Sequence, residues 1–146
     1  GAMWKPQRFF SAIHFGFSVD ALFLRLDPGE AFADSSVQAS VELHIVSDAG
    51  HYKLAFPFAP SPETFILSGA ANGQVWTEIG RYGTICRRAI LELAAPFKDL
   101  RLSAGQTFKL SLAVIQNGVE VERYPRQQSV NLTVPDDNYE ATTWRV

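Results

Sequence analysis

One cysteine in 146 residues has no partner within the chain. Cys86 therefore excludes an internal disulfide framework and a thiolate metal cluster, and such sparing use fits a reducing, cytoplasmic compartment. It reads as a small, half-buried strand residue. An excess of charge is missing too: 13 Lys and Arg stand against 15 Asp and Glu, a net charge of −2. With the basic residues scattered, no positive field is available for a phosphate backbone or an anionic bilayer, so nucleic acid and membrane are not expected as partners. No apolar run is long enough to span a membrane, and no charged-then-apolar leader is present. Gly1-Ala2-Met3 reads as a cloning remnant, which makes residues 4–146 the expected domain, cut from a larger protein. No stretch sustains a helical period, and no heptad, internal repeat or low-complexity tract occurs.

What the chain does have is 47% hydrophobic residues, enough for one sizeable core, arranged mostly at period two. Ile13, Phe15 and Phe17 alternate with polar or small residues. Leu22, Leu24 and Leu26 then oppose Ala21, Phe23 and Arg25, so residues 18–20 make a hairpin whose register sets Phe15 beside Leu22 or Leu24. Asp27-Pro28-Gly29-Glu30 is a turn and 31–36 a loop. In 37–46, Val37, Ala39, Val41, Leu43 and Ile45 face in while Gln38, Ser40, Glu42 and His44 face out. Tyr52, Leu54, Phe56 and Phe58 continue the core until Pro57, Pro60 and Pro62 stop the pairing. A short strand over 64–68 and a turn over 69–73 lead to a strand over 74–80, where Val75, Thr77 and Ile79 oppose Trp76 and Glu78. Arg81-Tyr82-Gly83 reads as a loop, and 84–93 as one strand with Ala89, Leu91 and Leu93 on its apolar side. Pro96 ends it as a sandwich edge and corner, and Ser103-Ala104-Gly105 turns the chain into 107–115. Asn117-Gly118 is a type I′ hairpin signal. Residues 119–124 and the row Val130, Leu132, Val134 complete the strands, and Trp4, Tyr139 and Trp144 are expected to tack down the ends. The pattern predicts an all-β, antiparallel two-sheet β-sandwich.

Chemistry-bearing residues form no complete catalytic constellation. His14, His44 and His51 lack partners at ligand spacing, so they are expected to be solvated or hydrogen-bonded, with no metal and no cofactor. Glu42, Glu78 and Glu92 sit on polar strand faces, and a catalytic reading needs at least two of Glu42, Glu78, Glu92 and His44 in one pocket. Ser18, Ser68 and Ser111 occupy no nucleophile elbow, and Gly69, Gly73, Gly80 and Gly83 precede no helix that would bind phosphate. Of the Arg87-Arg88 pair, one guanidinium faces inward and needs an acid partner. The aromatic residues say more. Trp76 shares a face with Glu78, and Tyr82 follows in the adjacent loop. A ring flanked by carboxylate, guanidinium and hydroxyl groups suits sugar recognition, because the C–H face of a pyranose stacks on it while the hydroxyls need fixed polar partners. Arg25, Arg88 and Tyr124 extend this carbohydrate-binding set. The bland alternative packs Trp76 beneath the proline-rich segment 57–62 or makes it part of a second core.

Residues 91–100, reading Leu-Glu-Leu-Ala-Ala-Pro-Phe-Lys-Asp-Leu, followed by Ala104-Gly105-Gln106 and the strand Phe108 to Val114, resemble the late strand, corner and return strand of DOMON-like and family 9 carbohydrate-binding-module sandwiches. Residues 15–27 resemble their opening hairpin. With Glu122-Arg123-Tyr124-Pro125 near the end, the arrangement is also similar to the C-terminal β-sandwich of family 57 glycoside hydrolases, which act on α-glucans. The resemblance implies a non-catalytic accessory domain that binds α-glucan or supports a parent catalytic domain. Family 9 modules clamp a sugar between two tryptophans, and here Tyr82 or Tyr124 would stand opposite Trp76. The haem-binding branch needs an axial Met and His, a role Met3 does not fill. The other expectation is an interaction module that docks on the parent catalytic domain or forms a homodimer.

Overall fold

The computed structural model describes residues 9–33, 38–58, 61–71 and 74–136. Among these, the period-two pattern becomes two antiparallel sheets packed as a sandwich. The smaller sheet has the order β1 (Phe10–Phe17), β2 (Ala21–Pro28), β8 (Leu91–Pro96), β7 (Ile85–Arg87). The larger runs β10 (Val119–Tyr124), β9 (Thr107–Gln116), β3 (Ser40–Ser47), β4 (Gly50–Pro57), β5 (Phe65–Ala70), β6 (Thr77–Tyr82), and β11 (Val130–Thr133) also pairs with β9. Leu22, Leu24, Leu26, Leu91 and Leu93 from the first sheet meet Val41, Leu43, Ile45, Leu54, Leu110, Leu112 and Val114 from the second in one buried cluster. Full burial of each such side chain contributes about 1.5–3 kcal/mol of transfer free energy, and that is what holds the sheets face to face.

Register follows from keeping these rows inward. Phe15 pairs with Leu24 and Phe17 with Leu22 across the first hairpin. A one-residue slip would carry the leucines to water. Asn117 and Gly118 take φ of 52° and 78° in the β9–β10 turn, as a type I′ turn requires.

Several sequence expectations are corrected. Residues 84–93 are not one strand: β7 and β8 form a hairpin that sets Ile85 opposite Leu93 and Arg87 opposite Leu91. Folding back keeps Ile85 and Leu93 on the core face and leaves Ala89 exposed in the turn. β8 is accordingly no edge; it lies between β2 and β7. Strand β6 begins at Thr77, so Trp76 precedes it and Arg81 and Tyr82 belong to it rather than to a loop. The apolar row expected over 74–80 lies largely in solvent, with Val75, ahead of β6, 72% exposed and Ile79, within it, 49% exposed, because four strands do not cover the edge of the larger sheet. The strand expected over 37–46 starts at Ser40, and Gly69 lies within β5. Where a turn over 27–30 and a loop over 31–36 are expected, Glu30–Ala33 forms a single helical turn, α1, that buries Phe32. Phe32 stacks on Phe58 at 3.9 Å and meets Phe9 edge-on at 4.9 Å, closing one end of the core. Cys86 is exposed rather than half-buried. Arg87 sets its guanidinium 4.4 Å from the Phe58 ring. Met3, Trp4, Val37, Pro60, Gly73, Tyr139 and Trp144 lie outside the described residues.

Candidate functional site

Strands buried on one face present two outer faces, and both carry organised side chains. On the smaller sheet, cross-strand pairing sets His14, Arg25, Glu92 and Cys86 in one row across β1, β2, β8 and β7. The next row holds Gly16, Phe23 and Ala94, with Gly16 and Ala94 directly opposite Phe23 on either side. Thr84 extends it, accepting the Ala94 N–H at 2.9 Å through its carbonyl and donating its hydroxyl to the Ala94 carbonyl at 2.6 Å. Neighbours with little or no side chain leave the Phe23 ring standing in a groove of about 680 Å³, within the range of small-ligand sites. Phe23 is 43% exposed there, in the middle of its strand. Arg25 donates to Asp27 through Nε at 2.8 Å and Nη2 at 3.3 Å, and His14 Nε2 lies 3.8 Å from the same carboxylate. The Asp27 hydrogen bond, then its charge, hold the Arg25 guanidinium above its ordinary pKa; a guanidinium is a cation at any physiological pH, and here it stands between the Asp27 and Glu92 carboxylates.

The outer face of the larger sheet is built differently. Its central row runs Ser111, His44, Lys53, Ser68, Glu78 across β9, β3, β4, β5 and β6. Glu42 Oε1 lies 3.0 Å from His44 Nε2, and His44 Nδ1 lies 2.9 Å from His51 Nε2. Trp76 packs edge-on against His51 at 4.8 Å, and the Lys53 ammonium sits 4.4 Å from the indole centroid and 3.6 Å from Glu42. The hydrogen bond from His44 holds the Glu42 carboxyl below its ordinary value against the opposing effect of burial, and Lys53 adds to the lowering. Burial, then the charges of His44 and Lys53, push His51 down.

The six residues expected to bind carbohydrate do not converge. Arg25 lines the groove on the smaller sheet, whereas Trp76 and Glu78 belong to the outer face of the larger sheet, on the other side of the core. Glu78 is engaged with Arg81 at 3.6 Å. Tyr82 is neither in a loop nor opposite Trp76: its ring stacks on Phe65 at 5.1 Å, and its hydroxyl donates to Asp99 at 2.9 Å. Burial and then that carboxylate push the phenol up to about 12. Tyr124 packs against Phe10 and donates to Glu122, which also accepts the Phe9 N–H at 3.2 Å. It borders a second groove between β1 and β10. Arg88 is exposed in the β7–β8 turn. Among the described residues, Trp76 meets His44, His51 and Lys53 on the outer face of the larger sheet.

Of the four residues from which a catalytic reading needs at least two in one pocket, Glu42 and His44 touch but line none of the grooves described, Glu78 shares their face and Glu92 lies on the other sheet. Among the described residues, no group of three His, Cys, Asp or Glu is placed to hold a metal ion, and no helix is long and apolar enough to cross a membrane. The sequence alone does not bring Phe23, Gly16 and Ala94 together; register does. The available signal was Phe23 itself, the one large apolar residue on the outward side of Leu22, Leu24 and Leu26. No family model matches the chain, and comparison with curated proteins and with solved structures finds no match.

Proposed function

We propose that the chain is a non-catalytic carbohydrate-binding module that seats its ligand in the groove on the smaller sheet. The observation that carries this reading is Phe23 standing open between Gly16 and Ala94, one row from His14, Arg25 and Glu92. A pyranose laid on the ring buries its C–H face, and its hydroxyls reach a guanidinium and a carboxylate that the sheet holds in place. The α-glucan class and the supporting role beside a parent catalytic domain come from the family resemblance.

Trp76 suits the stacking role less well than Phe23, because Lys53 and His51 already occupy its surroundings. Retardation on an amylose or glycogen affinity gel tests the assignment. Phe23→Ala abolishes retardation and Trp76→Ala leaves it unchanged; the reverse pattern moves the site to the larger sheet. A second reading, pairing with another protein or a second copy, rests on Val119 and Val121, which are 61% and 42% exposed on the edge strand β10. Dimer mass by light scattering with no retardation of the parent sequence on either gel would favour it.

A further inference from the structure

The cluster on the larger sheet takes no part in the groove, and its hydrogen-bond arithmetic is restrictive. Glu42 is acceptor-only when ionised, so His44 Nε2 must carry a proton to bond it at 3.0 Å. With both rings neutral, His44 Nδ1 is therefore an acceptor and His51 Nε2–H donates across the 2.9 Å contact. One added proton is accommodated by reversing that bond: His44 Nδ1–H donates and His51 moves its remaining proton to Nδ1. A second added proton is not. It puts N–H against N–H, with the Lys53 ammonium close by. We propose that Glu42, His44 and His51 form an acid-sensitive clasp for Trp76, which a second proton opens, releasing the indole from the sheet.

Among the charges around the clasp, the Lys53 ammonium opposes the second proton. Lys53 of β4 touches it directly, through Glu42, the clasp's own carboxylate on β3. On the flanking strands, Lys109 of β9 lies beyond Val46 in the row of His51, and Glu78 of β6 lies beyond Ser68 in the row of Lys53. Asp48 occupies the exposed β3–β4 turn and Arg81 pairs with Glu78. Among the described residues, Glu42 is the carboxylate bonded to the chain of rings, and it is bound at the far end from His51, on His44. Trp76 is the part that moves because its contacts are made to these same groups: His51 at 4.8 Å, His44 at 6.1 Å and Lys53 at 4.4 Å.

The test uses the full chain carrying Trp4→Phe and Trp144→Phe, which leaves Trp76 as its sole tryptophan. Emission and acrylamide quenching are followed between about pH 8 and pH 5, the interval in which histidine changes charge. The expected result is one transition below the ordinary histidine midpoint, with emission moving to the red and quenching rising, while far-UV circular dichroism stays constant. Adding His51→Gln, whose amide still donates to His44 Nδ1 but takes up no proton, removes the transition. Emission and quenching that stay flat with pH would overturn the clasp, as would an unchanged transition in the His51→Gln chain. Loss of the circular dichroism signal over the same interval would also overturn it, by showing global unfolding instead of local release.

Discussion

Phe23 and Leu24 are neighbours on β2 that point to opposite faces, so truncating each in turn separates stability from binding. Leu24 is 1% exposed and lies between Phe15 and Leu93 on the core side. Leu24→Ala removes buried methyl groups and leaves a cavity walled by both sheets, a change that costs about 2–5 kcal/mol. For a domain of this size that lowers Tm by roughly 7–15 °C. Phe23 is 43% exposed and borders the groove, so Phe23→Ala forfeits only the buried part of its transfer energy, about 1 kcal/mol, with no cavity cost because the vacated space opens to solvent. Loss of the stacking surface weakens sugar binding about tenfold or more, equivalent to about 1.4 kcal/mol. Urea unfolding gives the first quantity, and affinity electrophoresis against amylose or glycogen gives the second. A Phe23→Ala chain as destabilised as Leu24→Ala would refute the placement of Phe23 outside the core. A Phe23→Ala chain of normal stability and normal retardation would refute the groove as the sugar site.

Gly69→Ala tests packing at the edge of the larger sheet: a Cβ there meets Ile79 Cδ1 at 3.0 Å and the buried Tyr52 ring at 3.1 Å. Ile79 has room to give way but Tyr52 does not, so the variant loses about 1–3 kcal/mol by urea unfolding; stability within error of the parent would contradict the crowding. Tyr82→Phe removes the bond that ties β6 to Asp99 and costs about 1 kcal/mol at neutral pH. Because the folded phenol titrates near 12 and the unfolded one near 10, its contribution is complete below about pH 10 and lost as pH rises toward 12; the parent, but not Tyr82→Phe, shows that alkaline loss. On the acid side both shifts are downward, so each group stabilises the fold above its ordinary value and the contribution is lost as pH falls: His51 from 6.5 and Glu42 from 4.5. His51→Gln removes the first decline and Glu42→Gln the second in stability measured against pH, and an unchanged profile in either would contradict the assignment.

The sandwich itself was legible because its signal is local. Leu22, Leu24 and Leu26, or Val41, Leu43 and Ile45, declare a buried face within a few residues, and Asn117-Gly118 declares its turn. Legibility failed where a local pattern had more than one tertiary solution. Residues 84–93 alternate acceptably as one strand, but the pairing of Ile85 with Leu93 is available only if the chain reverses at 88–90. Val75 and Ile79 look like core because the sequence does not record that the facing sheet has too few strands to reach β6.

The same distinction decides which aromatic residue can serve as a platform. Trp76 is conspicuous in the sequence because it stands among polar residues, yet its surroundings come from His44, His51 and Lys53 on strands much earlier in the chain. Phe23 is inconspicuous because phenylalanine in a strand is ordinary. What opens its ring is Gly16 on one neighbouring strand and Ala94 on the other, a property of register and not of either segment alone. Ala94→Leu therefore isolates the cause: it leaves Phe23, Arg25 and Glu92 in place, adds bulk to the face that lines the groove, and removes retardation on the glucan gel with little change in urea midpoint. Full retardation by Ala94→Leu would show that an open face on Phe23 is not what the ligand uses.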